Sequence, residues 1–181
     1  MNTGMENGTV GAPLVGVVLG SASDLDKARP VFDTLEEFRV PYDVAIISAH
    51  RTPDLVEEYA RSVSGRGVKV VIAAAGLAAA LPGAIAALVD IPVIGLPLGG
   101  GPVMGVDALL SITDMPPGVP VAGVGIGGAK NAALLAVRVL AAYDPCLKAK
   151  LAAFREKMSL DVRDKAALIQ EKGLPVWHRT R

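Results

Sequence analysis

The chain predicts an α/β domain built on a parallel sheet of five strands. Three observations carry this. Five short apolar runs, LVGVVLG (14–20), YDVAII (42–47), VKVVIAAAG (68–76), IPVIGLP (91–97) and VPVAGVGI (119–126), are continuously hydrophobic rather than alternating, as strands covered on both faces are. Helical patterns lie between them, which implies βαβ units with right-handed crossovers. The chain is also 51% hydrophobic with 20 glycines, and small residues suit close sheet–helix packing.

Each element can be read in turn. The first strand, 14–20, leads into a helix over about 24–39, in which Pro30 should introduce a kink or shift the start. The second strand ends at 47, and a helix follows over 53–64. Thr52 stands there as N-cap, Pro53 at the first helical position and Asp54 in the first turn. The third strand runs out into AAAGLAAALPG (73–83), where Pro82 is expected to open a helix over 82–89. GLPLGGGPVMG (95–105) is too rich in glycine for regular structure and reads as a loop before a helix over 104–113. The fifth strand precedes a helix over 128–142. A charged amphipathic helix spans 145–172, and GLPVWHRTR closes the chain. The expected organisation is a disordered lead-in over 1–13, one domain over 14–145, and a helix and tail over 146–181 that pack on a neighbouring subunit.

Composition removes several function classes. Lys+Arg and Asp+Glu both number 18, so there is no basic excess for nucleic acid, and 4% aromatic content offers no base-stacking surface. Cys146 is the only cysteine, which rules out an internal disulfide. His50 and His178 stand far apart in sequence, and no cluster has metal-ligand spacing. The N-terminus lacks a basic, then apolar signal pattern, and no apolar run reaches membrane-spanning length. These features predict a soluble, cytoplasmic protein with no nucleic-acid or membrane partner. A mean hydropathy of +0.45 predicts apolar surface covered by further copies of the chain.

Chemistry concentrates where strands end. GSASD (20–24) joins the first strand to a helix: Gly20 permits a tight turn, Ser21 and Ser23 offer hydroxyls beside free helix-start N–H groups, and Asp24 could bond ribose hydroxyls. An N-cap without a ligand would use the same residues. SAHRTP (48–53) sets Ser48, His50 and Arg51 in the next turn, where the imidazole can move protons and the guanidinium can clamp a phosphate. The turn after the third strand is nearly bare of side chains, so a ligand there would meet backbone amides. GVGIGG (123–128) formally matches a dinucleotide fingerprint. It follows the last strand rather than the first, and no acidic residue ends a next strand, so the match is weak.

Taken in order, GSASD, SAHRTP, AGLAAALPG, GVDALLSITDMPPGVPVA and NAALLA resemble the PurE family, the N5-carboxyaminoimidazole ribonucleotide mutases and aminoimidazole ribonucleotide carboxylases of purine biosynthesis. The resemblance covers about residues 14–145. It implies a flavodoxin-like three-layer α/β/α sandwich, an octamer with active sites between subunits, and no metal or organic cofactor. It also implies that Ser21, Ser23 and Arg51 hold a nucleotide phosphate and Asp24 the ribose. Ser48 and the backbone of Gly76, Ala78 and Ala79 would face the rest of the substrate, and His50 would shuttle the proton. The chain departs from the mutase pattern A-A-H-L-P-G at Ala80, where a histidine is usual, and its KNAALLA resembles the CO2-using branch. Three outcomes follow: a mutase, a direct carboxylase of aminoimidazole ribonucleotide, or an inactive nucleotide-binding paralogue.

Overall fold

The computed structural model describes residues 11–175 and 177. The expected disordered lead-in lies outside these residues over 1–10, as does the tail from His178 onward.

Residues Met1–Leu140 and Ala141–Arg181 form two compact units. The first holds a parallel sheet of β1 (Val15–Leu19), β2 (Tyr42–Ile46), β3 (Val70–Ala75), β4 (Val93–Pro97) and β5 (Ala122–Gly123), in the order β2-β1-β3-β4-β5. This is the flavodoxin-like order, in which the chain reverses its direction of travel across the sheet between β1 and β3. Every residue of β1, β3 and β4 is buried, which accounts for their unbroken hydrophobicity. β2 is an edge strand and leaves Val44 and Ile46 exposed. β5 is far shorter than the run 119–126 suggests. Pro120 has no N–H for a ladder, and glycines at 123, 125, 127 and 128 pack no side chain, so only two residues pair with β4.

The connecting helices are α1 (Leu25–Phe38), α2 (Pro53–Arg66), α3 (Ala80–Ala86), α4 (Val106–Thr113) and α5 (Ala129–Ala141). A 3-10 turn over Ala22–Asp24 leads into α1, so the helix begins well before Pro30, which sits inside it; the Thr34 hydroxyl donates to the Pro30 carbonyl at 2.7 Å. α3 opens at Ala80 rather than at Pro82, which falls within its first turn. The second unit carries α6 (Pro145–Glu171), whose start is capped by Asp144 Oδ1 accepting from the amides of Cys146 and Leu147 at 2.8 and 3.1 Å. α6 exposes Met158, Leu160, Val162, Leu168 and Ile169.

Helices lie tightly on the sheet because the strands carry glycine at the contact points. Tyr59 of α2 packs over Gly16 of β1, and its hydroxyl donates to Asp43 Oδ1 of β2 at 3.4 Å. Arg66 forms an ion pair with the same carboxylate and stacks its guanidinium 4.7 Å from the Tyr59 ring centroid. α2 is thereby fixed to both strands it crosses. Burial pushes the Tyr59 phenol up to about 12. On β4, a Cβ at Gly95 would run into Ile112 Cγ2 of α4 and lie 3.0 Å from Val121 Cγ1. Gly95→Ala is therefore expected to destabilise the fold by about 1–3 kcal/mol through overpacking, read as a lower urea midpoint with an unchanged slope.

Candidate active site

The parallel sheet sends the C-terminal ends of all its strands to one edge, and a cleft of about 680 Å³ opens there. That volume suits a nucleotide-sized ligand. Four loops line it: Gly20–Asp24 after β1, Ser48–Arg51 after β2, Ala75–Leu81 after β3 and Leu98–Gly101 after β4. All nine residues singled out from the sequence, Ser21, Ser23, Asp24, Ser48, His50, Arg51, Gly76, Ala78 and Ala79, face this one cleft. The glycine run 123–128 is not among its lining, so the weak dinucleotide fingerprint gains no support from the fold.

The first loop is held by its own hydroxyls. Ser21 Oγ accepts from the Ser23 amide at 3.4 Å and from Ser23 Oγ at 3.0 Å. The Gly20 amide donates to the Ala74 carbonyl at 3.1 Å, tying this loop to β3. Gly20 does not serve the tight turn its sequence suggests. Its φ is not left-handed, and a Cβ there would meet Ala74 O and Asp24 Oδ2 only at 3.8 Å. What the missing side chain leaves open is the cleft.

Asp24 is 9% exposed, yet carries a carboxylate. Burial pushes its pKa up, opposed by the nearby Lys27 charge and by the Ser21 backbone.

The second loop closes on itself through Thr52. This residue occupies the N-cap position of α2, but its hydroxyl does not cap the helix. It accepts from the Ser48 amide at 2.9 Å and donates to the Ser48 carbonyl at 3.2 Å, bracketing Ala49, His50 and Arg51. Ser48 Oγ in turn accepts from the Arg51 amide and from Arg51 Nε, at 3.3 and 3.4 Å. Arg51 Nη2 donates to the Gly20 carbonyl at 3.2 Å. The guanidinium is thus aimed by one loop and docked on the other, with Nη1 available to an anion. His50 is exposed into the cleft.

The third loop differs from a plain wall of amides. The Ala79 and Ala80 amides are spent on the Leu77 and Ala78 carbonyls, at 2.8 and 2.7 Å. Leu77 adopts a left-handed backbone with φ of 55° and projects into the cleft mouth, 57% exposed. Ala80 lines the cleft as well. Sequence reading passes over Lys27, which also lines the cleft; it lies one helical turn beyond Asp24, and that i, i+3 spacing is the available signal.

Residues 14–161 match the AIR carboxylase family. The chain belongs to this family. It is 54% identical over 149 residues to the N5-carboxyaminoimidazole ribonucleotide mutase of Pyrococcus abyssi, covering 82% of this chain and 86% of that one. It is 48% identical over 164 residues to the phosphoribosylaminoimidazole carboxylase of Schizosaccharomyces pombe, covering 91% of this chain and 30% of that protein. The crystal structure of Treponema denticola PurE superposes with a TM-score of 0.80 at 29% identity, over 87% of this chain and 98% of that one. The fold and the PurE family expected from the motifs are therefore both established.

Because folding raises the Asp24 pKa above its ordinary 3.8, the ionised form is penalised in the folded state, and stability falls as pH rises through the elevated pKa. Asp24→Asn is expected to melt at the wild-type temperature below pH 3.8 and above it at neutral pH, as measured by calorimetry across that range.

Proposed function

We propose that this protein makes 4-carboxy-5-aminoimidazole ribonucleotide from N5-carboxyaminoimidazole ribonucleotide, a mutase step of purine biosynthesis. The observation that carries this reading is the single cleft in which the Ser21/Ser23 loop, the Arg51 guanidinium and the His50 imidazole converge. The similarity to proteins named as mutases supports it.

In this reading Ser21, Ser23 and Arg51 hold the phosphate, Asp24 accepts from the ribose hydroxyls, and His50 handles the protons. The N5–carboxyl bond breaks, CO2 departs, and the nitrogen keeps the bonding electrons and takes a proton from the His50 imidazolium. C4 of the aminoimidazole then forms a bond to the carbon of CO2, and the C4 proton passes back to His50. Atoms and charge balance without an external acid or base. In this reading the turn over 75–80, with backbone at Gly76, Ala78 and Ala79 toward the ring, is the wall that holds CO2 close to C4. Ser48 acts through Arg51, whose direction it fixes.

The working form in this proposal is a homo-oligomer, an octamer as in the resemblance, within the cytoplasm. Leu77, Val103, Met104, Val106 and Leu110 are all about half exposed or more, and Leu77 borders the cleft. Apolar area of this extent is what a second copy of the chain would cover. Light scattering on the purified protein should return a mass several times 18.6 kDa; a monomer would overturn this part.

Supplying each ribonucleotide separately tests the reaction. Product is expected from N5-carboxyaminoimidazole ribonucleotide without bicarbonate. Bicarbonate-dependent product from aminoimidazole ribonucleotide alone would instead favour direct carboxylation, the reading suggested by Ala80 and KNAALLA. Thermal stabilisation by either ribonucleotide without turnover would mark an inactive binder. His50→Asn is expected to lower kcat by about 10²–10⁴-fold with substrate KM changed only a few-fold; normal turnover would remove His50 from the chemistry.

A further inference from the structure

Residues 99–103 carry no secondary-structure ladder, yet Gly99, Gly100 and Gly101 form one side of the cleft. The amides of Met104 and Val106 bond locally, to the Gly101 and Val103 carbonyls. These bonds shape the turn but do not hold it against the rest of the molecule. A long-range tether comes from α1: Lys27 Nζ donates to the Gly99 carbonyl at 2.8 Å, across 72 residues of sequence. The ammonium also lies against Gly100, where a Cβ would stand 3.6 Å away. On the third loop, Leu77 presses on the same segment. Gly101 has a left-handed φ of 65°, and a Cβ there would come within 2.6 Å of Leu77 Cδ2. The glycine segment is therefore seated between a charged latch and an apolar stop.

We infer that Lys27 is a positioning residue for the cleft, holding the Gly99–Gly101 strap in place as the wall against which the ribonucleotide docks. The inference rests on the functional reading above and deepens it. A glycine strap has unusual backbone freedom, so an unlatched strap samples many conformations, and a ligand must order it on binding. One charge-assisted hydrogen bond to a carbonyl restricts that freedom beforehand. Lys27 touches no reacting atom in this scheme; besides the effect of its charge on Asp24, its ammonium acts through the strap.

Lys27→Met keeps the stem and removes the latch, and Lys27→Arg restores a cationic donor. Steady-state kinetics of the full-length protein on N5-carboxyaminoimidazole ribonucleotide should show KM raised roughly tenfold in Lys27→Met with kcat within about threefold, and largely recovered in Lys27→Arg. Hydrogen–deuterium exchange on the ligand-free proteins should show faster exchange of the 98–105 amides in Lys27→Met alone, with β1 and β3 unchanged. Wild-type KM in Lys27→Met, a fall confined to kcat, or unchanged exchange over 98–105 would each overturn the inference. Exchange is read without turnover. A wild-type protein inactive on both ribonucleotides would thus fail the functional reading, while the latch would still be decided by the amides.

Discussion

The parallel pairing of β1 with β3 is the constraint on which the molecule depends. Val15 to Leu19 register against Val70 to Ala74, and the two strands end together. Chain that leaves β1 departs toward β2, and chain that leaves β3 departs toward β4, so the two loops part at the top of the ladder. The cleft is the space they leave. The Gly20 amide, still bonded to the Ala74 carbonyl, is the last rung before the loops diverge. β2 and β4 add a loop on either side, and the remaining elements hold this edge in shape.

The polar groups at the edge are organised from below as well as by one another. Thr52 brackets the turn that carries His50 and Arg51, Ser48 orients Arg51, and the Gly20 carbonyl receives it. Farther down α2, Tyr59 and Arg66 grip Asp43 on β2 while Tyr59 covers Gly16 on β1. The helix whose N-terminus supports the SAHRTP turn is thus anchored to both strands beneath it. The site's own contacts, Ser23 to Ser21 and Arg51 to Ser48 and Gly20, are thus set on a framework that is itself fixed.

Much of this was legible in the sequence. Continuous apolar runs mark β1, β3 and β4 because burial on both faces removes any need for alternation. The nine residues singled out at strand ends all line the cleft because a parallel sheet gathers such ends on one edge. The misreadings have local causes. Run 119–126 looks like a strand by hydrophobicity, but Pro120 and the glycines withhold ladder partners. Thr52 does stand at the N-cap of α2, but its hydroxyl finds both a donor and an acceptor on Ser48 instead of capping the helix, a competition that spacing alone does not decide. Lys27 and Leu77 were silent for different reasons. The tether of Lys27 spans 72 residues, and the left-handed conformation of Leu77 is one that leucine does not advertise.

The alanine-rich turn over 73–80 has a further consequence. Side chains that end at Cβ have no rotamers to freeze, so a molecule settling against Ala75, Ala78, Ala79 and Ala80 forfeits no torsional freedom on the protein's side. Such a surface cannot adapt by swinging a group aside. Discrimination at these four positions therefore rests on outline: a guest one methyl too large there meets main chain rather than a side chain that can turn away.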